Sequence, residues 1–287
     1  MNISTTTQRA QNLFGEEQAL KLLKTSGFTH ADCSLYTHNE KSELWQNDNW
    51  KKHAEYLYKL AQNTQIAFSQ THAPFPSDTT SECINAISKS IKISGQIKSP
   101  YIVVHPIIPL NLCYEEEKAR IWDLNIKFFN TLRPIAKQSN VIIAIENMFR
   151  YDISKKEYIP TMCSNITALA QLIDTLGDGF CACLDTGHAN LYAYNISDIT
   201  KQLGSRLQVV HIHDNNGAED EHNLPFLGTI NWNAFCTALH QINFAGALCF
   251  ETVGFENAFC EDLYAAALEL LYKTGLNLAQ KTMRIEV

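Results

Sequence analysis

Phe180-Cys-Ala-Cys-Leu-Asp185-Thr-Gly-His188 is the stretch that decides how the rest of this chain is read. Five apolar, β-favouring residues end abruptly in a carboxylate, a glycine turn and an imidazole. That is the profile of a buried parallel strand whose tip carries chemistry. Side chains alternate along a strand, so Cys181, Cys183 and Asp185 share one face, and Ala182 and Leu184 the other. His188, just past Gly187, can fold back over the same tip. A carboxylate ending an apolar strand needs a partner, and Asp and His are both metal ligands.

The design recurs along the chain. Val141-Ile-Ile-Ala-Ile-Glu146-Asn147 closes on Glu146, and Leu207-Gln-Val-Val-His211-Ile-His213-Asp214 on His211 and His213. Gly246-Ala-Leu-Cys-Phe-Glu251 closes on Glu251, Tyr101-Ile-Val-Val-His105-Pro106 on His105, and Gln65-Ile-Ala-Phe-Ser-Gln-Thr-His72 on His72. A lone strand-end His or Glu is more often a solvated loop residue, but six such runs in one chain point to a shared site. Two more strands are predicted at residues 2–7 and 28–35. Helical spacing appears at 16–26, 49–63, 114–139, 165–176, 197–203, 232–241 and 261–274. Thr79-Thr-Ser-Glu82 offers a capping box for a further helix running to about Ser94. The segment holding Arg150, Tyr151 and Asp152 reads as a loop.

Strict alternation of strand and helix implies a parallel sheet with right-handed crossovers. Eight such units in about 275 residues predict an α/β fold, a single (β/α)8 TIM barrel forming one domain over residues 1–287. In that architecture active sites lie at the C-terminal ends of the strands, where every residue picked out above falls.

Composition narrows the partners. The formal net charge of −7, with no run of five like charges, argues against a polyanion such as nucleic acid. Nine scattered cysteines without a C-x-x-C pair read as reduced, buried thiols, which predicts a cytoplasmic protein. The N-terminus shows no basic region followed by an apolar block, and no run approaches eighteen apolar residues. Neither a signal peptide nor a membrane span is expected.

If the strand tips converge, Glu146, Asp185, His211 and Glu251 form a site suited to a divalent cation: zinc or manganese foremost, cobalt or magnesium as alternatives. Without a cation, three clustered carboxylates repel and one has to stay protonated. His72, His105, His188, Asp220 and His222 flank that group as further metal ligands or as hydrogen-bonding partners for substrate hydroxyls. His213 is read as a substrate contact or, with Asp214, as an anchor of the loop at 215–228. Arg150, Phe75, Tyr151, Phe226 and Trp232 are expected to shape the pocket, Trp232 alternatively serving as barrel packing. His30, His38, His53 and His240 show no such placement and are read as ordinary surface or helix histidines.

His211-Ile-His-Asp-Asn215, Asp220-Glu-His222 and Leu227-Gly-Thr-Ile-Asn-Trp232, together with Leu184-Asp-Thr-Gly-His188 and Ile145-Glu-Asn147, resemble the xylose-isomerase-like TIM-barrel superfamily over essentially the whole chain. That group holds sugar isomerases and epimerases, inosose dehydratases and the endonuclease IV type of abasic-site endonuclease, so the resemblance speaks to fold more than to substrate. Similarity to the ketose 3-epimerase branch implies that Glu146, Asp185, His211 and Glu251 bind one metal. It also implies that Glu146 and Glu251 act as paired acid/base groups on opposite faces of the substrate carbon. Proton transfer through a metal-stabilised enediolate would then give epimerisation or aldose–ketose isomerisation, with His188 touching the substrate. That branch places an arginine shortly after the strand-seven histidine, where this chain reads Asn215-Asn-Gly-Ala218. Similarity to the endonuclease IV branch implies instead that His72, His105, Glu146, Asp185, His188, His211, Asp220, His222 and Glu251 hold three zinc ions for phosphodiester hydrolysis. The acidic balance and the scarcity of Arg and Lys near the mouth weigh against it. The expectation is a divalent-metal-dependent isomerase or epimerase of a small-molecule sugar or sugar phosphate, whether monomer or homo-oligomer. A zinc-dependent abasic-site endonuclease, an inosose-dehydratase-like lyase and a non-catalytic sugar- or metal-binding barrel are the alternatives.

Overall fold

From the N-terminus, β1 (Ile3–Thr5) leads to α1 (Gln8–Thr25), β2 (His30–Ser34), α2 (Asn49–Thr64), β3 (Ala67–His72), α3 (Ser81–Gln96), β4 (Tyr101–Val104), α4 (Lys118–Ser139) and β5 (Ile142–Glu146). A hairpin of β6 (Arg150–Asp152) and β7 (Glu157–Ile159) precedes α5 (Ile166–Leu176), β8 (Phe180–Asp185), α6 (Thr186–Asn190) and α7 (Ile196–Leu203). The chain finishes with β9 (Leu207–Ile212), α8 (Trp232–Gln241), β10 (Leu248–Phe250), α9 (Val253–Asn257) and α10 (Glu261–Met283). This computed structural model describes residues 1–39 and 41–283.

Eight of the strands form one parallel sheet in the order β1-β10-β9-β8-β5-β4-β3-β2. Thr6 bridges in parallel to Asp32, which brings the first and last strands of that order together and closes the sheet into the predicted TIM barrel. Two buried layers result. Val103, Ala144, Cys181, Cys183 and Val209 form a small cluster inside the barrel. The alternating residues Ile102, Ile143, Ala182, Leu184 and Val210 pack outward into the larger core beneath the helices.

Strand parity places the functional residues. Glu146 stands two residues beyond Ala144, Asp185 two beyond Cys183, His211 two beyond Val209 and His105 two beyond Val103. All therefore continue the inward face toward the C-terminal mouth. Register then sets neighbours side by side: Asp185 pairs with His211 across β8 and β9, Glu146 with Cys183, and Cys249 with His211. Burial pushes the Cys183 thiol up to about 12, so the cysteines of the barrel floor are packing groups rather than nucleophiles.

Several element boundaries differ from those predicted. Helix α1 begins at Gln8, ahead of the apolar stripe, and bends at Gly15 (φ 77°, ψ 166°), a backbone setting that favours glycine. The cap of α3 is Thr80, whose hydroxyl accepts from the Cys83 N–H at 3.2 Å. Glu82 is then one residue too early to complete a capping box. Helix α4 starts at Lys118 rather than near residue 114, and α10 runs on to Met283. The predicted loop at 150–152 is the first strand of an antiparallel hairpin in which Tyr151 faces Tyr158. Three residues per strand are too few for an alternating pattern to register. The Asp152 carboxylate supplies the turn by accepting from the Ser154 N–H at 2.9 Å. No helix among the described residues is long and apolar enough to cross a membrane.

Candidate metal centre

Glu146 lies at the middle of the mouth, with its side chain 1% exposed. Its Oε2 is 2.9 Å from His105 Nε2 and 3.6 Å from His72 Nε2, and its Oε1 is 3.0 Å from His211 Nδ1. Glu251 Oε2 approaches the same Nδ1 at 3.1 Å. Glu146, Asp185, His211 and Glu251 each present a ligand atom, all within 4.8 Å of one another, as the sequence leads one to expect. A second set, His188, His213, Asp220 and His222, meets the same distance criterion beside the first. His72, Glu146 and His211 form a third.

Backbone carbonyls orient three of the histidines. The Nδ1 of His72 is 3.0 Å from the Ala73 carbonyl, that of His188 2.9 Å from the Asn147 carbonyl, and that of His222 2.8 Å from the Glu251 carbonyl. A carbonyl can only accept, so each Nδ1 carries a proton and each Nε2 is the nitrogen turned into the cluster, the atom at which a cation would take the place of a proton. There, His188 Nε2 lies 3.8 Å and His222 Nε2 3.1 Å from Asp220 Oδ2, while His105 Nε2 and His72 Nε2 stand 3.1 Å apart. Asp185 Oδ2 and Asp220 Oδ1 are buried without a hydrogen-bond partner among the described residues. Buried carboxylate oxygens and imidazole lone pairs aimed at common points fit divalent cations bound by nitrogen and oxygen.

Electrostatics state the same requirement for positive charge. Burial opposes ionisation of Glu146, but His211 and His105 beside it hold it well below the usual carboxylate range. Burial is likewise overcome at Glu251, where the His211 and His222 charges bring the value down to about 2. His222 resists protonation through burial, yet the Asp220 hydrogen bond and the Glu251 charge raise it to about 10. In the metal-free protein, imidazolium ions therefore supply the charge a cation would bring. Because the His222 value is raised, its contribution to stability is complete below pH 6.5 and is lost as pH climbs through about 10. Glu251 and Asp220, both lowered to about 2, contribute above pH 4–5 and lose that contribution as pH falls toward 2. Metal-free protein should show a Tm that declines from pH 6.5 to 10, and a bound divalent ion should flatten the decline. Thermal melts across that range, with and without added zinc, check it.

The residues around the ligands were less visible in the sequence. Asp32 is buried on β2, and the Gln70 side chain, two residues before His72, donates to Asp32 Oδ2 at 3.2 Å while its Nε2 lies 2.9 Å from His211 Nε2. Both residues share the inward strand face, the signal that could have found them. Asn147 accepts from the Asp185 N–H at 2.6 Å and donates to the Asp185 carbonyl at 3.0 Å, locking the tips of β5 and β8. The Tyr36 ring lies 4.7 Å from His72 and the Phe149 ring 4.9 Å from His188, walls that strand patterning does not reveal.

Two expected substrate contacts stand elsewhere. The His213 side chain is fully buried, stacked on His222 at 4.0 Å with its Nε2 2.9 Å from Asp185 Oδ1, so it belongs to the ligand cluster and not to the pocket wall. Arg150 Nη1 donates to the carbonyls of Pro109, Leu110 and Leu112 at 3.1–3.3 Å and straps the hairpin to the segment after β4. Of the aromatics, Phe75 does reach the site, its ring 4.8 Å from that of His105. Tyr151 and Phe226 are exposed, while Trp232 is buried and donates to Asp214 Oδ2 at 2.8 Å. Asp214 also accepts from the Phe226 and Ile230 N–H groups, so this residue is the loop anchor.

Gly187 reports how tightly the cluster is set. A Cβ there would meet His213 Cε1 at 1.9 Å. Gly187→Ala should displace that ring from Asp185 and weaken metal binding roughly 10- to 100-fold, the range for disturbing groups that orient ligands. A competition titration with a chromophoric chelator measures it.

A family model described as a xylose isomerase-like TIM barrel matches residues 16–274. The chain belongs to this family. Among curated relatives, the y4fM protein of Sinorhizobium fredii is 26% identical over 194 residues, covering 65% of this chain and 60% of that one. The D-psicose 3-epimerase of Enterocloster bolteae is 26% identical over 127 residues, 44% of this chain and 38% of that enzyme. This chain thus aligns with less than two thirds of the length of either. Solved structures align throughout. A D-tagatose 3-epimerase-like protein superposes with a TM-score of 0.74 at 20% identity, covering 99% of this chain and 100% of that one. The IolI protein, solved with a bound zinc atom, superposes with a TM-score of 0.71 at 18% identity over 99% and 100% of the two chains. These two likenesses establish the xylose isomerase-like barrel and not the reaction.

Proposed function

We propose that this xylose isomerase-like barrel is a divalent-metal-dependent isomerase or epimerase of a small-molecule sugar or sugar phosphate. The observation that carries the reading is the pair of carboxylates, Glu146 and Glu251, that both approach His211 Nδ1, at 3.0 and 3.1 Å. Glu146, Asp185, His211 and Glu251 would hold the ion, with zinc or manganese best suited to two kinds of donor. When bound, it supplies Lewis-acid polarisation of a carbonyl, which acidifies the neighbouring C–H. Glu146 and Glu251, both ionised, are the groups able to take that proton. One removes it, and the other returns it from the opposite side or to the adjacent carbon. The surrounding imidazoles and Asp220 offer hydrogen bonds to hydroxyls, and Phe75, Tyr36 and Phe149 form an apolar wall that limits water. Relatedness to a D-psicose 3-epimerase supports a ketose substrate. Incubation with a ketose panel in deuterated water should show metal-dependent exchange of one carbon-bound proton; no exchange with any ketose overturns the reading.

A second reading rests on the His188, His213, Asp220 and His222 cluster, which a one-metal sugar site does not require. Together with the first set it holds seven of the nine residues expected for three zincs and phosphodiester hydrolysis, and the other two, His72 and His105, stand 3.6 and 2.9 Å from Glu146 Oε2. Cleavage of abasic duplex DNA that weakens with rising salt would favour that activity.

A further inference from the structure

Glu16, His38 and His53 come from three separate elements: the helix restart after the Gly15 bend in α1, the segment following β2, and the first turns of α2. We propose that these three side chains form a second, independent site for a divalent cation of the zinc class, outside the mouth of the barrel. It goes beyond the sugar reading and rests on none of the residues used there.

The three residues each offer a ligand atom, and those atoms lie within 4.8 Å of one another. His53 Nε2 is 3.2 Å from Glu16 Oε1, with the two side chains only 16% and 19% exposed. The His38 and His53 rings stand 5.6 Å apart at 76°. An ion pair between His53 and Glu16 accounts for one of these contacts and leaves the rest unexplained. The Nε2 of His38 is buried without a hydrogen-bond partner among the described residues, and that of His53 meets only the Glu16 carboxylate. Two imidazole nitrogens and a carboxylate oxygen this close together make the two-histidine, one-carboxylate donor set that divalent zinc accepts, with a fourth position left for water.

The neighbourhood is arranged as ligand sites are. Gln11 Nε2 donates to Glu16 Oε1 at 3.4 Å and to Thr37 Oγ1 at 3.2 Å, and Gln11 Oε1 accepts from the Thr7 hydroxyl at 3.1 Å. One amide thus orients both the carboxylate and the residue before His38. Trp45 sits edge-on against His38, and the Tyr56 ring lies 6.2 Å from His53, so the ion would rest in a partly dry recess. Burial, reinforced by His53, holds His38 below its ordinary value, so the ring is neutral at pH 7 as a ligand must be. The ion would also reach the mouth mechanically. Residues 35–37 between β2 and His38 carry Tyr36, whose ring packs on His72 and whose hydroxyl donates to Gln8 Oε1 at 2.6 Å.

Metal-free protein titrated with zinc against a chromophoric chelator is the test. The wild-type chain should take up one ion more than a His38→Ala/His53→Ala variant, and Glu16→Gln should weaken that single step at least tenfold. Glu146→Gln, which alters only the mouth, should leave the step in place, so loss of the sugar reading and loss of this site are told apart. Equal stoichiometry in wild type and double variant overturns the proposal. Should the double variant not fold, wild-type crystals soaked in zinc decide: an anomalous peak about 2.0–2.2 Å from Glu16, His38 and His53 supports the site. No peak there overturns it.

Discussion

Glu146→Gln is expected to lower proton exchange at the substrate carbon by roughly 10²–10⁴-fold, the usual contribution of a positioned acid or base. The amide keeps the shape of the carboxylate but can neither take a proton nor balance the imidazoles. Glu146 faces His105 at 2.9 Å and His211 at 3.0 Å, so the substitution also removes the shared anion of two ligand sets. Metal affinity should fall with the rate. Glu251→Gln is expected to give a comparable loss of exchange through the second carboxylate. The two variants separate in what remains. Glu251 faces His211 alone at short range, so Glu251→Gln should retain more of the bound metal. Isotope exchange, metal content and far-UV circular dichroism on both proteins check this. Wild-type exchange in either one removes the two-carboxylate mechanism.

Metal removal carries the second large effect. Exhaustive chelation should abolish turnover, and restoring zinc or manganese should recover it, because Asp185 Oδ2 and Asp220 Oδ1 are buried without a hydrogen-bond partner among the described residues. Stoichiometry by mass spectrometry then distinguishes the readings. One ion at the mouth fits carbonyl chemistry at Glu146, Asp185, His211 and Glu251; three fit the full set that includes His72, His105, His188, Asp220 and His222. Undiminished turnover in chelated protein, with no metal detected, would remove the Lewis acid from the account altogether.

Most of the mouth could be read from the chain because barrel geometry converts a one-dimensional pattern into a location. An apolar run with β-favouring residues predicts a strand, and parity predicts which of its residues face inward. A polar ligand at the end of that inward face then falls at the mouth. Glu146, Asp185, His211 and Glu251 met on these grounds. The same parity marks Asp32 and Gln70, which lie earlier in their strands and so look like ordinary polar interruptions. Arg150 and His213 illustrate the limit. Each sits at a position where a substrate contact is plausible by sequence. Only packing shows that Arg150 serves three carbonyls and that His213 lies sealed beneath His222. The β6–β7 hairpin escaped notice because three-residue strands carry no measurable period.

By itself, the sequence determined the alternation of strands and helices, the parallel barrel that follows from it, and which carboxylates and imidazoles gather at the strand tips. These depend on local periodicity and on the cost of burying charge, both of which are written residue by residue. Tertiary structure alone decided which imidazole nitrogens turn inward, since that depends on carbonyls of Ala73, Asn147 and Glu251 placed by the fold. It also decided that His38 and His53, ordinary on their own segments, share one recess with Glu16. Such meetings are set by how helices and loops close over one another, and no spacing along the chain encodes them.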